Sequence, residues 1–218
     1  MKDVKQYKGV EGHKTFKVTI IGLPKSGKST LLYQFAKISD PFTRQPGYFE
    51  TLRDERPVTL QTSGGAVNCL FIDNNINDYA NARPDQWQRI IADTDCLICM
   101  CECNAASVQQ AQYLIQIFRQ YQNCLTLLVA NKSDDYDPDQ IKQGQLDGYA
   151  SQVGAVGLMI SAVQGLNFDH LQFIIADLLM NPRQKYGNIQ AVQSMPKRAQ
   201  PNRPKNLVPG GAMGGCCM

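Results

Sequence analysis

The segment Gly22-Leu-Pro-Lys-Ser-Gly-Lys28-Ser29-Thr30 lies between an apolar run, Phe16 to Ile21, and the stretch Leu31-Leu-Tyr-Gln-Phe35. Strand, glycine-bounded loop and helix in that order constrain the fold more than any other feature of the chain. The spacing G-x-x-x-x-G-K-[ST] is that of a phosphate-binding loop. Successive backbone N–H groups can curl round a polyphosphate only where side chains do not crowd the approach, and the helix N-terminus adds positive partial charge. Gly22, Lys25, Ser26, Gly27 and Thr30 would line this loop. Lys28 would reach the terminal phosphates, and the Ser29 hydroxyl would ligate Mg²⁺. A purine nucleotide is the leading ligand class, although the loop alone does not choose among GTPases, ATPases and small-molecule kinases.

The rest of the chain alternates in the same way. After the first helix, Ile38 to Tyr48 carries Pro41, Pro46 and Gly47 and reads as a mobile loop. Phe49 to Leu52 and Val58 to Thr62 are strand candidates. A Gly64-Gly65 turn leads from them into Ala66 to Asp73, a hairpin signal. A helix is expected around Asp85 to Ala92. Three strand–helix pairs follow: Cys96 to Cys103 with Ala105 to Tyr121, Cys124 to Ala130 with Pro138 to Gln152, and Ala155 to Ile160 with Leu166 to Met180. Such alternation gives right-handed crossovers and a mainly parallel sheet covered on both faces, with ligands at the carboxyl ends of the strands. Leu171, Ile174, Ile175, Leu178 and Leu179 recur at core-helix spacing.

The eight cysteines do not have the spacing of a disulfide framework. Cys99, Cys101 and Cys103 alternate on one strand face, where they could ligate a metal but read better as small core residues. His13 and His170 have no partners that would make either a general base. Trp87 is either core or an exposed partner contact.

From Arg183 onward the texture changes to prolines and glycines without hydrophobic periodicity, the mark of a disordered tail. Six of the 22 Lys and Arg lie there and no acidic residue does, leaving 16 basic against 19 acidic residues in positions 1 to 182. The folded part is therefore mildly acidic, which disfavours nucleic acid, while the basic tail suits an anionic membrane surface. No apolar run reaches the roughly 18 to 20 residues of a membrane span. The amino terminus lacks a signal-peptide block, and Lys at position two excludes N-myristoylation. The expected organisation is an extension over 1–14, a nucleotide-binding domain over 15–182 and the tail over 183–218, placed in the cytosol.

The base is chosen further along. Leu125-Thr-Leu-Leu-Val-Ala-Asn131-Lys132-Ser133-Asp134 is an apolar strand delivering polar groups to its carboxyl end. A carboxylate can accept both the N1 and N2 protons of guanine, and adenine offers no such pair on that edge. Asp134 would make this contact, Asn131 would brace the loop and the Lys132 stem would pack over the ring. At Ser161-Ala162, closing the next strand, a backbone N–H can donate to the guanine O6.

With these motifs together, residues 15 to 182 resemble the Ras superfamily of small GTPases. The phosphate loop looks most like that of Arf and Arf-like proteins. The ending Gly215-Cys216-Cys217-Met218 looks like the Rab pattern, in which both cysteines can be geranylgeranylated; two lipid chains hold a protein on a membrane where one does not. Palmitoylation or a chance cysteine pair is the alternative. The resemblance implies an α/β, three-layer P-loop fold, with a six-stranded mainly parallel sheet and five helices. It also implies GTP and GDP with Mg²⁺ as ligands, and two switch loops that engage effectors, exchange factors and GTPase-activating proteins.

Two departures stand out. Where the family has D-x-x-G and a water-positioning Gln, this chain has Asp73-Asn-Asn-Ile76-Asn77. Asp73 could still hold Mg²⁺ through water, but the glycine has become β-branched and Asn77 is one methylene shorter than Gln. In the first switch Gln45 falls where a threonine senses Mg²⁺, with Thr43 a substitute two residues earlier. Pro24 removes one backbone donor from the phosphate loop. The sequence therefore reads as a membrane-attached guanine-nucleotide switch of vesicle trafficking with impaired hydrolysis. A non-catalytic, nucleotide-locked adaptor is the competing reading, and a nucleoside kinase or ATPase is a distant third.

Overall fold

The computed structural model describes residues 14–39, 53–62, 65–74, 88 and 91–181. Six strands form one sheet: β1 (Thr15–Gly22), β2 (Arg53–Thr62), β3 (Gly65–Asn74), β4 (Cys96–Glu102), β5 (Leu125–Asn131) and β6 (Val156–Met159). The spatial order is β2-β3-β1-β4-β5-β6. Only β2 runs antiparallel, against β3; the other pairs are parallel. Four helices are described: α1 (Lys28–Ser39), α2 (Ala105–Arg119), α3 (Gln143–Gln152) and α4 (Phe168–Met180). A fifth, expected near Asp85 to Ala92, falls largely outside the described residues, where only the Ala92 N–H to Gln88 C=O bond marks a helical turn.

Strand alternation sorts the core onto two faces. On β4, Cys96, Ile98 and Met100 point to a cluster shared with Leu31, Leu32 and Phe35 of α1 and with Leu171, Ile175 and Leu179 of α4. Leu97, Cys99 and Cys101 point the other way, to Val108, Ile115 and Phe118 of α2 and Leu146 and Ala150 of α3. Period-two alternation on strands buried from both sides reads as a nearly continuous apolar run, as in β4 and β5. Phe35 stacks on Phe71 at 4.0 Å and tilts against Phe168 at 4.9 Å, tying α1, β3 and α4 together. The three alternating cysteines are core residues: Cys99 and Cys101 are fully buried, Cys103 nearly so, and no metal-binding cluster occurs among the described residues.

Three expected boundaries move, the first two for reasons visible in the sheet and its bonds. β2 begins at Arg53, so the charged run Arg53-Asp-Glu-Arg-Pro57 is strand rather than connector. β2 is an edge strand, where charge and a proline that donates no ladder bond are tolerated. α3 begins at Gln143 instead of Pro138, because Gln140 bridges to Asn104 and the Ile141 N–H donates to Cys103 C=O at 2.9 Å. Those bonds hold the preceding turn away from helical geometry. β6 is shorter than expected, although the Ile160 N–H still donates to Ala130 C=O at 2.8 Å.

Candidate nucleotide site

The parallel strands end on one side of the sheet, and their carboxyl ends bring the sequence motifs together. β1 ends at Gly22, whose φ of +146° only glycine adopts comfortably. A Cβ there would lie 2.2 Å from the Met100 carbonyl oxygen, so β1 and β4 meet over a bare backbone. The chain then turns through Lys25, at φ 64°, and Gly27, at φ 91°, into α1. The Ser26 N–H donates to Leu23 C=O at 3.2 Å and closes the turn. Pro24 and Lys25 are exposed on the outside of this turn, and Thr30 lies on the first turn of α1.

Lys28 is 7 % exposed. Its Nζ donates to the carbonyls of Gly22 and Leu23 at 3.2 and 3.0 Å. Burial pushes its pKa down, opposed by the nearby Asp73 carboxylate and more weakly by Cys99. An ammonium desolvated at a helix N-terminus and met by two neutral carbonyls is well placed to gain from an anion. Ser29 Oγ donates to Asp73 Oδ2 at 2.8 Å, so two of the expected Mg²⁺ ligands share one spot. A hydroxyl and a carboxylate beside a polyphosphate cradle are hard oxygen donors of the kind Mg²⁺ takes.

The base side is built on Asn131, which is 3 % exposed. Its Nδ2 donates to Ser26 C=O at 2.8 Å, and its Oδ1 accepts from the Ala162 N–H at 2.9 Å. One amide thus ties the phosphate loop to the loop after β6, which is the bracing role expected of it. The fit is close: a Cβ on Gly27 would lie 2.2 Å from that Nδ2. Gln34 of α1 adds a second tie, Nε2 to Ala162 C=O at 2.7 Å. Sequence reasoning missed it, since one polar residue in a mostly apolar helix turn signals nothing about which loop it meets. Ser161 closes its own turn, pairing N–H and C=O with Leu166, each at 3.1 Å, while its Oγ accepts from the Gln164 N–H at 3.1 Å.

Two details bear on how a base would be held. The Ala162 N–H is engaged by Asn131, so a guanine O6 would have to share that donor. Lys132, at φ 67°, extends its ammonium to Glu102 at the end of β4. Asp134 is exposed on the same loop, which the Ser133 N–H anchors to Ile160 C=O at 3.1 Å. Thr43, Gln45, Ile76, Asn77, Trp87, Cys216 and Cys217 lie outside the described residues, as do residues 1–13 of the extension and the whole tail.

A phosphate loop opening α1 and a base loop closing β5, at the carboxyl edge of a mainly parallel sheet, define a P-loop nucleotide-binding protein. Residues 17–180 match the family model of the Ras family, and the chain belongs to that family of small GTP-binding proteins. A search of curated proteins found no match. Ras-family members generally bind GTP or GDP with Mg²⁺, and the residues present suit that group.

Proposed function

We propose that this protein is a guanine-nucleotide switch held on the cytosolic face of membranes by prenylation of Cys216 and Cys217, that it acts in vesicle trafficking, and that its intrinsic hydrolysis is weak. The observation that carries the nucleotide part is the Asn131 bridge, because it fixes the phosphate cradle and the base loop at one spacing. Mg²⁺, when bound, would neutralise charge on the phosphates. Lys28 would hold the terminal phosphates, Ser29 and Asp73 would hold the cation with Thr43 completing the set, and Asp134 would accept the two guanine protons. Effectors, exchange factors and GTPase-activating proteins would engage the switch loops. The membrane part is supported by the paired cysteines behind a basic tail of 36 residues, which as a flexible coil would span about 33 Å.

Weak hydrolysis is supported by Ile76 and Asn77, which replace the residues that would orient the attacking water. The same two residues favour a second reading, a nucleotide-locked adaptor that never turns over. Heating the purified protein and identifying the released nucleotide by chromatography tests the first claim; adenine nucleotide, or none from a folded sample, sinks it. Single-turnover hydrolysis with Mg²⁺ separates the readings, because GTP consumption at ordinary small-GTPase rates eliminates the adaptor and complete inertness eliminates the switch.

A further inference from the structure

We propose that Glu102 is a positioning residue for the base loop, holding the Lys132 ammonium away from Asp134 so that the Asp134 carboxylate stays available to the base. This rests on the guanine reading above. The β4–β5 register sets Glu102 opposite Asn131, which brings the last side chain of β4 beside the first residue past β5. That residue, Lys132, has a positive φ of 67°, a conformation that persists in a bulky residue only where its surroundings hold it. Glu102 Oε1 accepts from Lys132 Nζ, and both side chains are 37 % exposed.

Three other carboxylates belong to the loop that carries the ammonium. Asp135 and Asp137 line, with Glu102, Lys132 and Gln140, a polar cavity of about 80 Å³. Asp134 sits two residues along the loop from Lys132. All three aspartates ride an exposed turn. Glu102 alone projects from a strand end, fixed by the Asn104 N–H to Glu102 C=O bond at 2.9 Å and by the Asn104–Gln140 bridge. A partner on a rigid element gives one geometry where partners on a turn give several. Held there, the Lys132 stem is a fixed wall for a base. Released, its head is free to pair with Asp134 and occupy the acceptor that the guanine N1 and N2 protons need.

The test is dissociation of a fluorescent GDP analogue, with the relative affinities of GDP, IDP and ADP, in wild type, Glu102→Gln, Lys132→Gln and the double variant. IDP lacks the N2 amine, so the GDP-to-IDP ratio reports the Asp134 contact. Glu102→Gln is expected to speed release roughly three- to fivefold, the size of a half-exposed ion pair, and to lower that ratio. In the Lys132→Gln background the Glu102→Gln effect should vanish. Wild type that prefers ADP, or binds no nucleotide, overturns the guanine reading itself. Guanine-selective wild type with unchanged release and ratio in Glu102→Gln overturns the role of Glu102 alone. Faster release with an unchanged ratio, equal in both backgrounds, marks Glu102 as merely structural and also overturns it. Thermal melting of each nucleotide-free variant verifies folding, and Glu102→Ala, which releases the same ammonium, replaces Glu102→Gln with the same expected loss of the GDP-to-IDP ratio should that variant misfold.

Discussion

Asn131→Ala removes the side chain that ties the phosphate loop directly to the loop after β6. Two buried hydrogen bonds go with it, at 2.8 Å to Ser26 C=O and at 2.9 Å from the Ala162 N–H. Both former partners are backbone groups in a region where Ser26 is fully buried and Ala162 nearly so, so water does not readily replace the amide. A buried polar group left without its partner costs about 1–3 kcal/mol, which puts the pair at roughly 2–6 kcal/mol. Gln34 still holds Ala162 through its carbonyl, so the lower half of that range applies. About 3 kcal/mol borne by the site geometry corresponds to roughly a hundredfold weaker GDP binding. Urea unfolding of nucleotide-free protein and release of a fluorescent GDP together measure both parts. Asn131→Asp sharpens the test: one oxygen can still accept from Ala162, but the other faces the Ser26 carbonyl where a donor stood. It should rescue nothing. Stability within about 0.5 kcal/mol of wild type and GDP affinity within threefold would refute the bridge as the organiser of the site.

Further outcomes follow from burial and charge. Lys28→Met should lose nucleotide binding yet leave the nucleotide-free protein as stable or up to ~2 kcal/mol more so, since a desolvated ammonium disappears. Because the folded-state pKa of Lys28 is lowered, the unfolded chain binds more protons between that value and 10.5; stability should rise with pH there in wild type and not in the methionine variant, as followed by urea titration at stepped pH. Burial pushes the thiols of Cys69, Cys99 and Cys124 up to about 12 and that of Cys103 to about 11, and raises Cys96 and Cys101 as well. Iodoacetamide at pH 8 should therefore spare all six in the native protein, as peptide mapping would record, and label them after unfolding. Ile76→Gly with Asn77→Gln should raise single-turnover GTP hydrolysis at least tenfold, an effect of about 1.4 kcal/mol on the barrier.

Much of the architecture was legible because it rests on local pattern. Alternating strands and helices fixed a mainly parallel sheet, and the glycine spacing from Gly22 to Gly27 located the phosphate loop on the right edge of it. Asn131 was readable as a brace from its place at a strand end. The charged start of β2 was not, because Arg53 to Pro57 looks like a connector until an edge position makes those residues acceptable. Nor was the late start of α3, which depends on Gln140 meeting Asn104 across the fold. Glu102 and Gln34 were invisible for the same reason. Their roles come from register and from helix placement, and neither leaves a trace in the spacing of nearby residues.

The central claim is that Asp134 selects guanine within a cradle made by Gly22 to Thr30. Competition of GDP, XDP and ADP against a fluorescent GDP, in wild type and in Asp134→Asn, tests it most directly. Xanthine carries a carbonyl where guanine carries the N2 amine, so a donor in place of the carboxylate reverses the match. Wild type should prefer GDP over ADP by at least a hundredfold, and Asp134→Asn should lose GDP and gain XDP. Equal binding of GDP and ADP, or a variant whose preferences do not change, would contradict the account.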